Sequence, residues 1–550
     1  MPSPQHSVLP NAHRIWQIDE IAFSPPALDI LWYKLNGLSP LFSLLPSSIK
    51  EEGVGATVLS DAIPDSDWAR IALYTRRVRK LHYQNAHGPW EHLGHDALCA
   101  LLRRAYAADT ALFPNLQDLS WLQFSATAQC LPFVAPSLQR LSLYVYPSDP
   151  PSPITVQQAP PGHPEVAHGL PPRTGYGGFI PHLASRSPDV EELALEGVDA
   201  PFALAPPPTL PAPVAFARLR VLHLGSISTP THIVLAQCSA MPRLASLSLT
   251  FSSHAHPDTA PSPTTSHDAE NDDRPSLRAL ESLRASGTPD QLAAVLAATT
   301  APALRSVHLA LSLPSTDGTP SPARSDAAPP STGAAADCAR ALAPLAATHA
   351  STLRALRLEC AAPTRSTHAH APRSVAEYVR PLLALRGLRR VALALHDPAG
   401  VGMDDGDAAE LARAWPALAA LFVSLSAPHR EQERAPVQGP DPRAPRPAGV
   451  PRPSVASLRA FAAGGCAALE SLRIPVDADV GMLCEPGCEV GAAEGGASNG
   501  ALKTLWLEGV RFSRADSGRV VPFLQRCFPN VDLKPMVDAG VVRTDFAWPV

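Results

Sequence analysis

The sequence predicts an irregular α/β solenoid, with parallel strands on a concave face and helices on the convex face. Three observations predict it: a short leucine beat, the spacing of its copies, and capped helices between them. The clearest copy is Leu502-Lys503-Thr504-Leu505-Trp506-Leu507. Side chains alternate across a strand, so Leu505 and Leu507 share one face and Trp506 takes the other. Leu502 sits on the bend before the strand. All three leucines point inward if each repeat is one coil of an array.

The beat returns as Val78-Leu81-Tyr83, Leu116-Leu119-Trp121, Leu138-Leu141-Leu143, Val190-Leu193-Leu195, Leu219-Leu222-Leu224 and Leu244-Leu247-Leu249. It continues as Leu304-Val307-Leu309, Leu353-Leu356-Leu358, Leu388-Val391-Leu393, Leu418-Leu421-Val423 and Leu469-Leu472-Ile474. Close copies stand 25 (Leu219 to Leu244), 29 (Val190 to Leu219), 30 (Leu388 to Leu418), 33 (Leu469 to Leu502) and 35 (Leu353 to Leu388) residues apart. Such steps suit leucine-rich repeats, including the longer kind with a full helix. A single copy is weak evidence, whereas many copies at compatible steps define an array.

Helices with proper starts fill the intervals. Thr288-Pro289-Asp290-Gln291 is a capping box with proline at the first helical position, followed by Leu292, Val295 and Leu296 on one face. Ser374 with Glu377 opens a helix bearing Tyr378, Leu382 and Leu385, and Asp407 with Glu410 opens one bearing Leu411, Trp415 and Leu418. The helix in DWARIALYTRRVRKLHY leads into the first strand, so the array is expected over 65–545. Three residues past the last core leucine, where asparagine or cysteine usually bonds the turn, stand Val198, Ile227, Ser252 and Val510. No asparagine ladder can form there, so the coils should be irregular. Segments near 146–176, 199–215, 252–275, 314–334, 426–453 and 476–500 have the proline-, serine- and alanine-rich composition of disordered insertions. Thr319-Pro320-Ser321-Pro322 within them resembles a proline-directed phosphorylation site.

Composition narrows the function. The chain of 550 residues carries 62 prolines, 6% aromatics and a net charge of −5 with pI near 6.5. That balance supplies no bulk attraction to nucleic acid or to an anionic membrane. The basic cluster Arg76, Arg77, Arg79 and Lys80 reads as a solvated strip beside the first strand. Nine scattered cysteines, no glycosylation sequon, no signal-peptide pattern and no apolar run of membrane-spanning length point to an intracellular protein of the cytoplasm or nucleus.

No catalytic or cofactor motif stands out, and neither a metal nor a cofactor is expected. Cys484 and Cys488 have metal-like spacing but no second pair of ligands. Asp404, Asp405 and Asp407 lack the calcium-loop pattern and read as acids at a helix start. The strand residues between the inward leucines form a surface instead: Tyr144, Glu196, His223, Thr250, His308, Arg357, Glu359, Phe422, Arg473, Trp506 and Glu508. Tyr144, His223, His308, Arg357, Phe422, Arg473 and Trp506 are the candidate target-binding residues on the concave wall. Aromatics and arginines are enriched among binding hot spots.

Residues 1–50 differ from the array. HRIWQIDEI begins a helix; Ser24-Pro25-Pro26 caps another, with Leu28, Leu31, Trp32 and Leu35 on one face and Asn36-Gly37 ending it. LSPLFSLLP follows. This pattern resembles the N-terminus of the large fungal family of F-box and leucine-rich-repeat proteins, particularly its mushroom-type members. Where that family has a longer helical core, Ile21 here passes directly to Ala22-Phe23-Ser24, so the F-box is truncated. The resemblance implies a substrate receptor of a Skp–cullin–F-box ubiquitin ligase that performs no bond chemistry. The Skp-type linker protein would contact what remains of the F-box at Ile18, Ile21, Leu28, Leu31 and Trp32, and the repeats would hold a target protein. The alternative is a repeat scaffold that has lost ligase contact with the missing core.

Overall fold

The computed structural model describes residues 25–42, 44–45, 49–52, 56–59, 63–84, 101, 104–105, 111–123, 130, 133–146, 179–198, 216–227, 229–252, 276–313, 333–361, 373–396, 400–425, 451–476, 498–508 and 514–531. The expected insertions fall almost wholly outside these residues, as do Thr319–Pro322 and the Cys484/Cys488 pair. The chain forms two compact units, Met1–Thr229 with Ala240–Leu244, and Pro230–Ser239 with Ala245–Val550.

In the first unit a helix over Pro25–Trp32 leads into β1 (Lys34–Leu35). A short helix (Ser39–Phe42), an antiparallel hairpin of β2 (Ile49–Glu52) and β3 (Ala56–Leu59), and a helix over Asp65–Thr75 follow. Then come β4 (Lys80–Gln84), β5 (Asp118–Gln123), β6 (Arg140–Val145), β7 (Glu192–Glu196) and β8 (Val221–Ile227). Their order is β1-β4-β5-β6-β7-β8, with neighbours parallel.

The second unit carries β9 (Ser246–Phe251), β10 (Ser282–Gly287), β11 (Ser306–Ser312) and β12 (Ala355–Ala361). The short β13 (Arg373–Ser374) precedes β14 (Arg390–His396), and the short β15 (Val401–Gly402) precedes β16 (Ala420–Ser424), β17 (Ser471–Pro475) and β18 (Thr504–Glu508). Strands β9-β10-β11-β12-β14-β16-β17-β18 are neighbours in that order and parallel where their register is defined, and β13 pairs with β15. Helices over Pro289–Ala298, Ala334–Thr348, Val375–Val379 and Asp405–Ala414 stand between strands, and a helix over Arg514–Cys527 follows β18. Each unit is thus a leucine-rich α/β repeat.

The beat acts in two steps. Within the strands β5 to β12, β14, β16 and β17 the two inward residues are buried and the residue between them is not, as in the alternation over β5, β9 and β14, whereas Tyr83 of β4 is only half-buried. Before most of these strands the leading residue closes a tight turn by donating its N–H three residues back: Leu138 to Ala135, Leu304 to Ala301, Leu388 to Leu385, Leu469 to Cys466; Leu353 reaches four back, to His349. Successive repeats are then joined through single carbonyls. Arg305 O accepts N–H bonds from Arg354 (2.8 Å) and Ala355 (2.9 Å), and Arg354 O accepts from Arg389 (2.8 Å) and Arg390 (3.0 Å). The last copy is incomplete, because Leu502 and Leu505 are buried but Leu507 is only half-buried. Its strand β18 ends the order, so a repeat covers it from one side only.

The N-terminal helix ends sooner than the sequence suggests, at Trp32 rather than Asn36-Gly37. Leu35 is not on that helix; it lies in β1 opposite Leu81. Tyr33 O accepts the N–H groups of Arg79 and Lys80, both at 3.0 Å, taking the part that a preceding repeat plays elsewhere. Leu35, Leu38, Leu41, Phe42 and Leu45 are buried. Sheet pairing and burial together outweigh the gain from one more helical turn.

Two helix starts also differ in detail. Asp404, not Asp407, is the N-cap of the helix over Asp405–Ala414, and Asp407 closes the box by accepting from the Asp404 N–H. Ser374 caps its helix through Ala376 N–H and also donates to Asp407 rather than pairing with Glu377. The capping box at Thr288 and Gln291 forms as expected.

Polar side chains link a few repeats, three residues before the leading leucine rather than three after the last one. Ser187 Oγ donates to Ala135 O at 2.6 Å, Asn499 Nδ2 to Cys466 O at 2.9 Å, and Cys466 Sγ to Trp415 O at 3.4 Å. At the expected position Val198 and Ile227 are buried apolar residues.

Candidate functional site

Parallel pairing in register stacks residues of equal repeat position into rows across the sheet. In the second unit the residue between the two inward leucines gives the row Ser248, Arg284, His308, Arg357, Ala392, Phe422, Arg473 and Trp506. Five of the seven candidate target-binding residues therefore lie side by side. Neighbouring strands are about 4.8 Å apart, so Arg284 and Trp506 stand about 29 Å apart along the row. Arg357, His308, Phe422, Arg473 and Trp506 are half-buried and Arg284 is exposed.

Arg284 was not among the sequence candidates. Its repeat is Leu280-Leu283-Ala285, in which alanine replaces the last leucine of the beat, yet all three are buried. The signal present was the buried residue three positions before the leading leucine: Leu277 here, as Ala301, Leu385 and Trp415 elsewhere.

At the centre of this row, Glu359 Oε1 meets Arg357 Nε at 2.7 Å and Arg357 Nη2 at 2.5 Å. His308 Nε2 lies 3.3 Å from the same oxygen, off hydrogen-bond alignment, and so acts as an electrostatic neighbour. The His308 imidazole, opposed by partial burial and reinforced by the Arg357 guanidinium, holds the Glu359 carboxyl down from 4.5 to about 2. A depressed folded value means the ionised carboxylate stabilises the fold above pH 4.5 and ceases to do so as pH falls towards 2. Glu359→Gln should therefore lower the urea midpoint at pH 7, and the gap to the parent chain should narrow as pH falls from 4.5 towards 2. A gap independent of pH would show that the carboxylate charge contributes nothing.

The first unit presents a different surface. Its first row alternates in charge through Lys80, Asp118, Arg140 and Glu192, with Arg140 Nη2 3.1 Å from Asp118. Tyr144 lies beside Glu196 on adjacent strands, and His223 Nε2 is 3.3 Å from Glu196 Oε2. Tyr144 and His223 are half-buried and belong to this unit.

Of the candidate linker-binding residues, Ile18 and Ile21 lie outside the described residues. Trp32 is 2% exposed, its ring 4.7 Å from that of Tyr74, so it packs inside the unit and offers no surface. Leu28 is half-buried and Leu31 is 60% exposed, with Ile30 (80%) and Tyr33 exposed beside it in sequence. Among the described residues no group of three His, Cys, Asp or Glu side chains is placed to hold a metal ion, and no helix is long and apolar enough to cross a membrane.

No family model matches the chain, and no curated protein matches it in sequence. Among solved structures, one similar in arrangement is the TLR13–ssRNA13 complex, at 10% identity and a TM-score of 0.27 over 74% of this chain. The match spans 52% of that protein's chain.

Proposed function

We propose that the chain is a non-enzymatic scaffold that holds a partner protein against its strand face. The observation that supports this reading is the in-register row of arginine, histidine and aromatic side chains, presented as a surface on a layer of buried leucines. Arginine and aromatic anchors supply most of the energy at protein interfaces. The finer reading is a substrate receptor of a Skp–cullin–F-box ubiquitin ligase inside the cell. It rests on the N-terminal resemblance and on the exposed apolar side chains Ile30 and Leu31.

The double substitution Ile30→Ser with Leu31→Ser tests the ligase reading, since both side chains are exposed and the fold does not depend on them. Burying such a side chain is worth roughly 1.5–3 kcal/mol, so affinity for the Skp-type linker should fall more than about tenfold. The unfolding midpoint should not move. Trp32→Ala is a poor substitute because it would also unpack Tyr74. If the intact chain fails to bind the linker, or the double variant binds it equally well, the chain is a repeat scaffold without ligase contact.

A further inference from the structure

The second unit holds a concentration of positive charge that the net charge of −5 conceals. Across the lead-in turns and strands 276–287, 301–313, 351–361 and 385–396 there are eight arginines and two glutamates, with no lysine or aspartate. The fold stacks these residues. Arg305, Arg354 and Arg389 occupy the same place before β11, β12 and β14, where each backbone carbonyl joins one repeat to the next. Arg390 follows at the start of β14, and Arg284 and Arg357 lie in the row described above.

Like charges on adjacent strands, about 4.8 Å apart, oppose folding unless something neutralises them. Arg357 is matched by Glu359. Arg284, Arg305, Arg389 and Arg390 are exposed and form no ion pair among the described residues. Arg354 spends one guanidinium N–H on Gly387 O at 3.1 Å. An anionic ligand would relieve this repulsion, and guanidinium groups pair with carboxylates through two parallel hydrogen bonds.

The geometry points to this arginine patch of the second unit as the docking site for a carboxylate-rich segment of a partner protein. The inference rests on the scaffold reading above and names the chemistry of the partner. The patch is compact: three strand steps, about 14 Å, separate Arg284 from Arg390, which suits about four residues of extended peptide. Single-stranded nucleic acid is the poorer fit, because such binders line a longer basic track with aromatic platforms for the bases. Between the arginines stand small residues (Ser282, Ser306, Ala355 and Ala392), and Phe422 and Trp506 lie on later strands.

Fluorescence anisotropy with the full chain tests the assignment against four labelled probes. They are an Asp/Glu-rich octapeptide, its Asn/Gln isostere, a Lys-rich octapeptide and an oligothymidylate. The acidic peptide should bind at least about tenfold more tightly than its isostere and weaken with salt. Arg305→Ser with Arg389→Ser should reduce that binding about tenfold with no change in the melting curve. Acidic and isosteric peptides binding equally, a double variant that binds the acidic peptide unchanged, or tighter binding of the oligothymidylate would each overturn the assignment. If a neutral or basic peptide binds and Phe422→Ala or Trp506→Ala weakens it, the scaffold reading survives without the acidic partner. If no peptide of any charge binds, both readings fail.

Discussion

Trp415→Ala is expected to destabilise the second unit by about 3–5 kcal/mol, the range for removing a fully buried tryptophan. Trp415 is completely buried at the end of the helix over Asp405–Ala414, and beside the Cys466 thiol on its carbonyl three further bonds hold it in place. Its backbone N–H donates to Leu411 O, its carbonyl receives the Leu418 N–H at 3.1 Å, and its indole Nε1 donates to Leu382 O at 3.1 Å. The substitution therefore opens a cavity and removes one of the two bonds that Leu382 O accepts, leaving it the Leu385 N–H alone. Because repeat stability is set largely by nearest neighbours, the loss should appear first in the adjoining repeats. Amide exchange in β14 and β16 should accelerate more than in β10, while urea unfolding shows the change in free energy. Trp415→Phe keeps most of the volume and removes only the indole bond, so about 1–2 kcal/mol is expected. A loss below about 1 kcal/mol for the alanine variant would mean the site collapses without cost.

Gly197→Ala should be the most damaging small substitution in the first unit. Gly197 follows β7 with φ +68°, a left-handed conformation that costs other residues roughly 1–2 kcal/mol. The added Cβ would also collide with the Val145 carbonyl oxygen at the end of β6. A backbone oxygen cannot swing aside as a side chain can, so the strand ends must separate, adding about 1–3 kcal/mol. Gly37→Ala provides the comparison. Gly37 has φ +143°, yet nothing lies within 4 Å of the added Cβ, so only backbone strain is incurred. Thermal unfolding should show the larger loss for Gly197→Ala, and equal losses would refute the part assigned to Val145.

Much of this molecule was legible in its leucines. Every repeat read from the beat has a strand in the expected place, because a buried side chain at each alternate position leaves the backbone little choice of face or register. The beat failed at Leu280-Leu283-Ala285, since alanine carries little hydrophobic signal although the site buries it completely. Leu277 three residues earlier was the remaining clue. The absence of an asparagine ladder after the strands was legible, since buried Val198 and Ile227 stand there, but the polar links before the strands were not. The short donors Ser187, Cys466 and Asn499 are scattered in sequence and meet their carbonyls only when neighbouring repeats stack.

The sequence by itself determined the inward leucines, the strand positions, the capped helix at Thr288 and the residues able to form a surface. Those are local properties, fixed by side-chain alternation and by the bonding needs of a helix start. Only the tertiary structure decided that Leu35 joins a strand and Trp32 faces inward, because their partners Leu81 and Tyr74 are distant in sequence. It also decided which charges meet. Arg305, Arg354 and Arg389 are separated by long stretches of chain, and nothing in their spacing announces a cluster. Stacking the repeats at about 4.8 Å turns them into a column and makes the second unit's face basic on an acidic chain.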